Sequence, residues 1–468
     1  MNTDRRINGP HLVRLLGDWR SGSTAYAGLA DRLRLLILDG RVPLHTRVPA
    51  ERELAEALEV SRTTVAGAYS RLRDDGFLSS RQGSGTWTDL PPSGVSAAGP
   101  VATLGDDLID LAHAAPAAPA EFLHAAAESA VTQLTRYLPT HGYDPLGLSV
   151  LREAVAARYT ARGAPTTPDQ VLVTGGAQHA FALALRALTV PGDRVVVEHP
   201  TYPNALEAIR GAGCRPVPVS LGPDGWDLEM LSATIRQVAP RVVYLMPDFQ
   251  NPTGSFMPSA DRLAVVEIAA RAGATLVIDE TVAELWLDGG AVSPVGLDAA
   301  LATGSTKMFW GGLRIGWLRG AAGSVRRVAA ARASIDLASP ILEQLMAAEL
   351  VPKTVAVAAV RRDALTAARS ALVRLLASRL PSWTPNAPSG GLGLWVDLGA
   401  PVSSALAISA ERHGVALAAG PRFGLDGAFE RFVRLPYTLG VLELDEAVDR
   451  LAAAFLSVGQ DLPLRGVS

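Results

Sequence analysis

Amines are scarce in this chain. It has 43 Lys and Arg residues, yet only Lys307 and Lys353 are lysines. Arginine stays protonated and cannot act as a nucleophilic amine, whereas a lysine that loses its proton can attack a carbonyl. A lysine kept where arginine is used almost everywhere else points to a task that needs an amine, and Schiff-base formation with an aldehyde is the commonest such task. Lys307 lies in the stretch GSTKMFWGGLRIGW (304–317), with Arg314 seven residues further on in a glycine-rich turn.

Other polar groups fall at the ends of apolar runs. VTGGAQHA (173–180) passes from a run through two glycines into a helical pattern, which bares the N–H groups of Gly176, Ala177 and Gln178 as a phosphate seat. Asp279 closes ATLVID, and a carboxylate there needs a cation or a donor. Asn251 stands in QNPTG, and Tyr202 follows HPT. Singly, each has an ordinary reading as a turn, a helix cap, a core aromatic or a surface charge. Together they match one cofactor, pyridoxal phosphate (PLP). Lys307 serves its aldehyde, Asp279 its pyridine nitrogen, Asn251 its phenolic oxygen, the 175–178 turn with Arg314 its phosphate, and Tyr202 the face of its ring.

The elements that must position these groups are short apolar runs alternating with helical sequence. VLVTGG, RVVVEH, RVVYLMP and ATLVIDE are separated by stretches such as QHAFALALRAL and DRLAVVEIAARAG. Fully apolar strands alternating with helices predict a mainly parallel sheet covered on both faces, with ligands collecting beyond the carboxyl ends of its strands. After about residue 325 the pattern is helix-rich, then returns to strand-like SGGLGLWVDL and RFVRLPY, which reads as a smaller α+β lobe.

Upstream, the pattern changes. Leu29, Leu33, Leu36 and Ile37 share a helix face with Gly40 as its stop, and a second helix opens at Pro49. A third begins at Ser61, buries Val65, Tyr69 and Leu72 and closes at Gly76, and FLSSRQGSGTWT reads as a hairpin turning at residues 83–85. Three helices and a hairpin make a winged helix-turn-helix. Ser61, Arg62, Thr63 and Thr64 put hydroxyls and a guanidinium on the first turn of the recognition helix, Arg52 stands near the start of the preceding helix, and Gln82 and Gly83 lie in the wing. Charge does not decide the matter, because residues 22–90 hold nine arginines against nine acids. Residues 1–22 read as an N-terminal extension. Residues 89–106 are rich in Pro, Gly, Ser and Ala and read as a linker, of about 25 Å root-mean-square span if flexible.

The bulk numbers fit this plan. A length of 468 residues allows two or three domains. A net charge of −3 argues against a generally basic nucleic-acid binder without excluding a local DNA-reading surface. The single cysteine, Cys214, excludes an intramolecular disulfide and suits a reducing compartment. No apolar run reaches membrane-spanning length, and MNTDRRINGP lacks the apolar core of a signal peptide, so a cytoplasmic protein is expected.

Two resemblances sharpen the picture. PAERELA, then VSRTTV, then a glycine-bearing wing resembles the GntR family of bacterial regulators, with Ala50 where serine is usual. Residues 107–455 resemble the fold-type I aminotransferases, with YDPLG…LR, TGGAQ, EHPTY, NPTG, IDE, the lysine with GLRIG, and RLPY in the same order. That likeness implies that Arg434 grips a substrate or effector carboxylate and that Tyr143 reaches the partner subunit's phosphate site. Ser305 lies beside Gly304, where the family often has a serine for the phosphate. Thr281 and Val282 stand where a tyrosine usually meets the phenolic oxygen, and its loss should raise the pKa of the lysine–cofactor imine. The combination resembles the MocR group of regulators. It implies a winged helix (23–88), a linker (89–106) and an aminotransferase-like body (107–465; large domain about 130–325, small lobe about 326–465) in a homodimer whose linkers allow exchange of the DNA modules between subunits. The function implied is a PLP-dependent regulator of operator DNA that senses an amino acid, an amine or vitamin B6. The alternative is a working aminotransferase with an accessory module.

Overall fold

A computed structural model describes residues 6–17, 19, 25–38, 41–44, 46–81, 85–89, 108–222, 225–290, 294 and 300–461. The wing turn with Gln82 and Gly83, the Gly40 stop and all but the first residue of the expected linker lie outside them.

The N-terminal module comprises α1 (Gly9–Leu16), α2 (Ala25–Leu38), α3 (Glu51–Leu58), α4 (Arg62–Asp74) and the antiparallel strands β1 (Leu78–Arg81) and β2 (Gly85–Thr88). Its core joins Leu29, Leu33, Leu36 and Ile37 of α2 to Leu54, Val65, Tyr69 and Leu72. The expected extension is part of this core. Ile7, Leu12, Leu16 and Trp19 are buried in it, and Ile7 N–H donates to the Arg47 carbonyl at 3.0 Å. Ser61 caps α4, its hydroxyl accepting from Thr64 N–H at 3.1 Å, whereas Ala50 gives α3 no side-chain cap.

The body begins with β3 (Ile109–Leu111), α5 (Ala120–Leu134) and α6 (Ser149–Ala161). Its large domain continues through β4 (Val171–Thr174), α7 (Ala177–Leu188), β5 (Arg194–His199), α8 (Pro203–Gly211), β6 (Arg215–Gly222), β7 (Gly225–Trp226), α9 (Leu228–Val238), β8 (Val242–Leu245), α10 (Ser259–Arg271), β9 (Thr275–Asp279), β10 (Ala300–Ser305), β11 (Gly316–Arg319) and α11 (Ala322–Ala331). The strands form one sheet in the order β4-β11-β10-β9-β8-β5-β6-β7. β10, β9, β8, β5 and β6 pair in parallel, whereas β11 is antiparallel to both neighbours and β7 to β6. Alternation along each strand feeds two cores. Val242 and Tyr244 of β8 pack with residues of α7 and α8, while Val243 and Leu245 pack with residues of α9 and α10.

The chain then forms α12 (Ile341–Leu350), the long α13 (Thr354–Arg379), β12 (Thr384–Pro385), β13 (Gly393–Asp397), α14 (Ser403–Arg412), β14 (Val415–Ala419), β15 (Phe432–Pro436) and α15 (Val441–Asp461). A second sheet has the order β12-β13-β15-β14-β3. Its edge strand β3 comes from residues 109–111 and runs parallel to β14, so the first described stretch of the body lies in the small-lobe sheet. No helix among the described residues is long and apolar enough to cross a membrane.

Candidate functional site

A cavity of about 320 Å³ opens beyond the carboxyl ends of the large sheet, within the range of small-ligand pockets. Gly176, Ala177, Gln178, Tyr202, Asn251, Asp279, Ser305, Lys307 and Arg314 all line it. Five loops following different strands thus deliver the groups that the sequence assigned to one cofactor.

The turn expected to seat a phosphate depends on two glycines. Gly176 has φ 113°, a conformation open to glycine, and leads into α7 with its first N–H groups free. Gly316 lets β11 lie directly against the backbone of Gly176 and Ala177, where any side chain would collide. Arg314, itself in the left-handed region at φ 51°, donates from Nη2 to Gly175 O at 3.2 Å. Its guanidinium has no carboxylate partner among the described residues. A free cation beside a helix N-terminus is what an anionic ligand group needs.

Lys307 sits on a short turn after β10. Ser305 caps that turn, its hydroxyl accepting from Lys307 N–H at 3.3 Å. Burial pushes the amine down from 10.5 to about 8; nearby Arg434 lowers it further and Asp279 opposes the shift. A neutral amine is therefore accessible near neutral pH. Serine at Gly304, usual in the family, is disfavoured here, because its Cβ would overlap the indole of Trp317 unless that ring shifts. Serine at the neighbouring position, Ser305, lines the cavity instead.

Asp279 is held at both oxygens. Oδ2 accepts from Tyr244 O–H at 2.8 Å, and Oδ1 accepts from Thr281 N–H at 2.9 Å. Tyr244 is a partner that sequence did not reveal, because within RVVYLMP it is indistinguishable from a core aromatic. Burial first, then Asp279, pushes its phenol well up, so it stays a donor. Tyr202 forms one wall, and its hydroxyl accepts from Asn204 Nδ2 at 2.9 Å. Asn251 Oδ1 accepts from Arg434 Nη1 at 3.4 Å, which leaves its amide N–H groups for a ligand. Thr281 and Val282 also line the cavity, so the position where a tyrosine was expected offers no phenol.

Two expected residues lie outside this lining. Tyr143 is 61% exposed on the surface. Arg434 is buried at 7% exposure behind Asn251; its guanidinium lies 5.1 Å from the Phe423 ring centroid, and Nη2 donates to the Ala112 carbonyl. Arg361 was not anticipated. It donates to the Met308 and Phe309 carbonyls at 3.1 and 2.8 Å, and so fastens the turn that carries Lys307.

In the winged module, Ser61, Arg62 and Thr63 are exposed at the start of α4, and Thr64 is half-buried. Among the described residues, Arg52 and Arg62 make only surface pairs, with Glu56 at 3.1 Å and Glu51 at 3.5 Å. Such pairs contribute little and exchange readily for a phosphate.

Residues 105–451 match the family of class I and II aminotransferases. The chain belongs to that family. Members of this PLP-dependent family share the fold described above, and residues 25–87 additionally match the GntR family of bacterial regulatory proteins, a DNA-binding module. This fusion is the architecture of a MocR-type regulator. The probable rhizopine catabolism regulatory protein MocR of Rhizobium meliloti is 31% identical over 62% of this chain and 64% of its own length, so just under two thirds of that relative is spanned. The uncharacterized HTH-type transcriptional regulator YisV of Bacillus subtilis is 27% identical over 87% of this chain and 91% of its own. Among solved structures, the family member LysN, an alpha-aminoadipate aminotransferase of Thermus thermophilus, superposes with a TM-score of 0.69 at 26% identity, covering 76% of this chain and 94% of that one.

Proposed function

We propose that this protein is a PLP-dependent transcriptional regulator. The carrying observation is a single chain with a capped recognition helix exposing Arg62 and Thr63 and, in its body, a cavity where a depressed lysine faces Asp279, Asn251 and Arg314. When bound, the cofactor supplies an aldehyde for covalent attachment and an electron-withdrawing ring. The donor set of the cavity fits it. Lys307 provides the attacking amine and Asp279 a carboxylate for the ring nitrogen. Asn251 would donate to the phenolic oxygen, and Tyr202 would pack on the ring. Gly176, Ala177, Gln178, Ser305 and Arg314 would receive the phosphate.

An amino-acid, amine or vitamin B6 effector then alters the affinity of the Arg52, Ser61–Thr64, Gln82 and Gly83 surface for operator DNA. By linkage, DNA alters effector affinity by the same factor. A homodimer completes the site, with Tyr143 of each subunit reaching the partner's phosphate seat. Support comes from exposed apolar side chains on the stretch of chain leading to Tyr143, namely Val131 at 60% and Leu138 at 69%.

The test is an electrophoretic shift of the upstream DNA of the protein's own gene, with and without PLP. A cofactor-dependent shift is expected. No shift at any cofactor level, together with transamination at enzyme-like rates, would instead establish the second reading, a working aminotransferase. That reading is favoured by the complete lysine–aspartate pair of the cavity.

A further inference from the structure

Glu198 and Gln250 are each 1% exposed, and neither belongs to the cavity lining. Glu198 stands near the end of β5. Its Oε1 accepts from Trp226 Nε1 and from Met246 N–H, both at 2.9 Å, and its Oε2 accepts from Gln250 Nε2 at 3.1 Å. Among the described residues no cation pairs with it. A buried carboxylate held only by neutral donors costs stability that a neutral side chain would not. Burial pushes its carboxyl up to about 7, and the charge of Asp279, at the end of β9, adds to the rise. Tyr244 of β8, the other titratable group facing it among the described residues, stays a neutral phenol.

The charge has a use, because a carboxylate only accepts hydrogen bonds and so fixes which way round the Gln250 amide lies. The amide must turn its NH2 group to Glu198. Nε2 then also donates to the Pro200 carbonyl at 2.8 Å. Oε1 is thereby turned to Thr253, accepting from its N–H at 3.0 Å and from its Oγ1 at 2.8 Å. Pro200 lies two residues before Tyr202, and Asn251 follows Gln250 directly. One amide thus ties the loop after β5, which supplies the Tyr202 wall, to the loop after β8, which supplies Asn251. A proton on Glu198 Oε2 would spoil this, since the acid O–H meets no acceptor among its three donors.

We propose that Glu198 is a positioning residue for the cofactor pocket, setting Tyr202 and Asn251 relative to each other through Gln250, and that it does so only as the carboxylate. This rests on the PLP reading of the cavity. Glutamine at residue 198 would set one NH2 group against another. Either the bond to Gln250 is lost, or Gln250 turns over and gives up Pro200 and Thr253.

The experiment titrates full-length apoprotein with PLP at pH 6 and pH 8, for wild type, Glu198→Gln, Gln250→Met and the double variant. Affinity is read from the visible lysine–cofactor band, and ring fixation from its circular dichroism per bound cofactor. At pH 8 each single variant should bind PLP about tenfold more weakly and with reduced ellipticity. At pH 6, where wild-type Glu198 is largely protonated, both ratios to wild type should shrink toward parity. The double variant should be no weaker than Gln250→Met. The folded carboxyl lies above its unfolded value, so the cost of its charge is felt in full above pH ~7. The Tm of Glu198→Gln apoprotein at pH 8 should therefore equal or exceed that of wild type, which a merely structural role would not give. Should Glu198→Gln not fold, the pH dependence of the Gln250→Met ratio decides the matter. Wild-type affinity in the variants at pH 8, or the same loss at both pH values, overturns the clamp while the cofactor site stands. If wild type itself binds no PLP, the PLP reading falls, and the clamp with it.

Discussion

The protonation of Lys307 offers the sharpest test of the site. An unperturbed lysine amine with a pKa near 10.5 is roughly 0.03% neutral at pH 7, whereas one at about 8 is roughly 10% neutral. The folded environment thus raises the nucleophilic fraction on the order of 300-fold at neutral pH. The rate at which apoprotein captures PLP, followed as growth of the visible lysine–cofactor band in a stopped-flow instrument, should climb about tenfold per pH unit up to pH ~8 and then level off. Arg434→Gln removes the like charge ranked after burial among the causes, so the midpoint should move to higher pH. Asp279→Asn removes the opposing charge, so its midpoint should move lower. A wild-type midpoint near 10, or variants that both move it the same way, would refute the assignment of Lys307 as a desolvated amine poised between these two charges.

Lys307→Met should stabilise the apoprotein. The folded pKa lies below the unfolded one, so below pH ~8 both states hold the proton and the cost of burying the charge is felt in full. As pH rises from about 8 toward 10.5 only the unfolded chain keeps the proton, and wild-type stability catches up. The shift corresponds to about 3 kcal/mol, and the partial contact of the amine with the cavity reduces the expected gain to about 1–2 kcal/mol at pH 7. Urea midpoints measured from pH 6 to 10 check this, and a gain that does not fade at high pH contradicts it. Gly304→Ser, although it restores the residue usual in the family, should lower apoprotein stability by about 1–3 kcal/mol through overlap with Trp317, read as a fall in Tm. Ser61→Ala removes the cap of α4 and should cost about 1 kcal/mol, measured by denaturation followed in the far-ultraviolet. Arg62→Ala should weaken operator binding by about 1–3 kcal/mol if it reads a guanine, and titration of operator DNA by fluorescence anisotropy measures it.

Much of the site was legible because its parts are locally encoded. Asp279 ends an apolar run, the 175–178 turn joins a strand pattern to a helix pattern, and Lys307 stands out against a background of arginine. Residue type and position relative to a strand end suffice for such groups, since open α/β sheets gather ligands at those ends. The winged helix was legible for a similar reason, with Ser61 capping α4 as its hydroxyl dictates. Other elements carried weaker signals. β6 holds Pro216 and Pro218, which obscure a strand, and it survives beside an edge strand of only two residues. β11 was hidden in the glycine-rich stretch after the lysine. The helix Gly9–Leu16 read as an extension because its few apolar residues find their partners only when α2 and α3 fold against it.

The sequence by itself determined which groups this chain can offer: an amine, a carboxylate, bare N–H groups at a strand-to-helix turn and hydroxyls at the start of α4 are properties of side chains and of local spacing. Only the tertiary structure decided what restrains them. The Ala112 carbonyl meets Arg434 across 322 residues of chain, and Arg361 ties Ala117 of the same stretch to the lysine turn from a helix in which it resembles any other surface arginine. Every residue bears the same carbonyl, so its role comes from where the fold carries it.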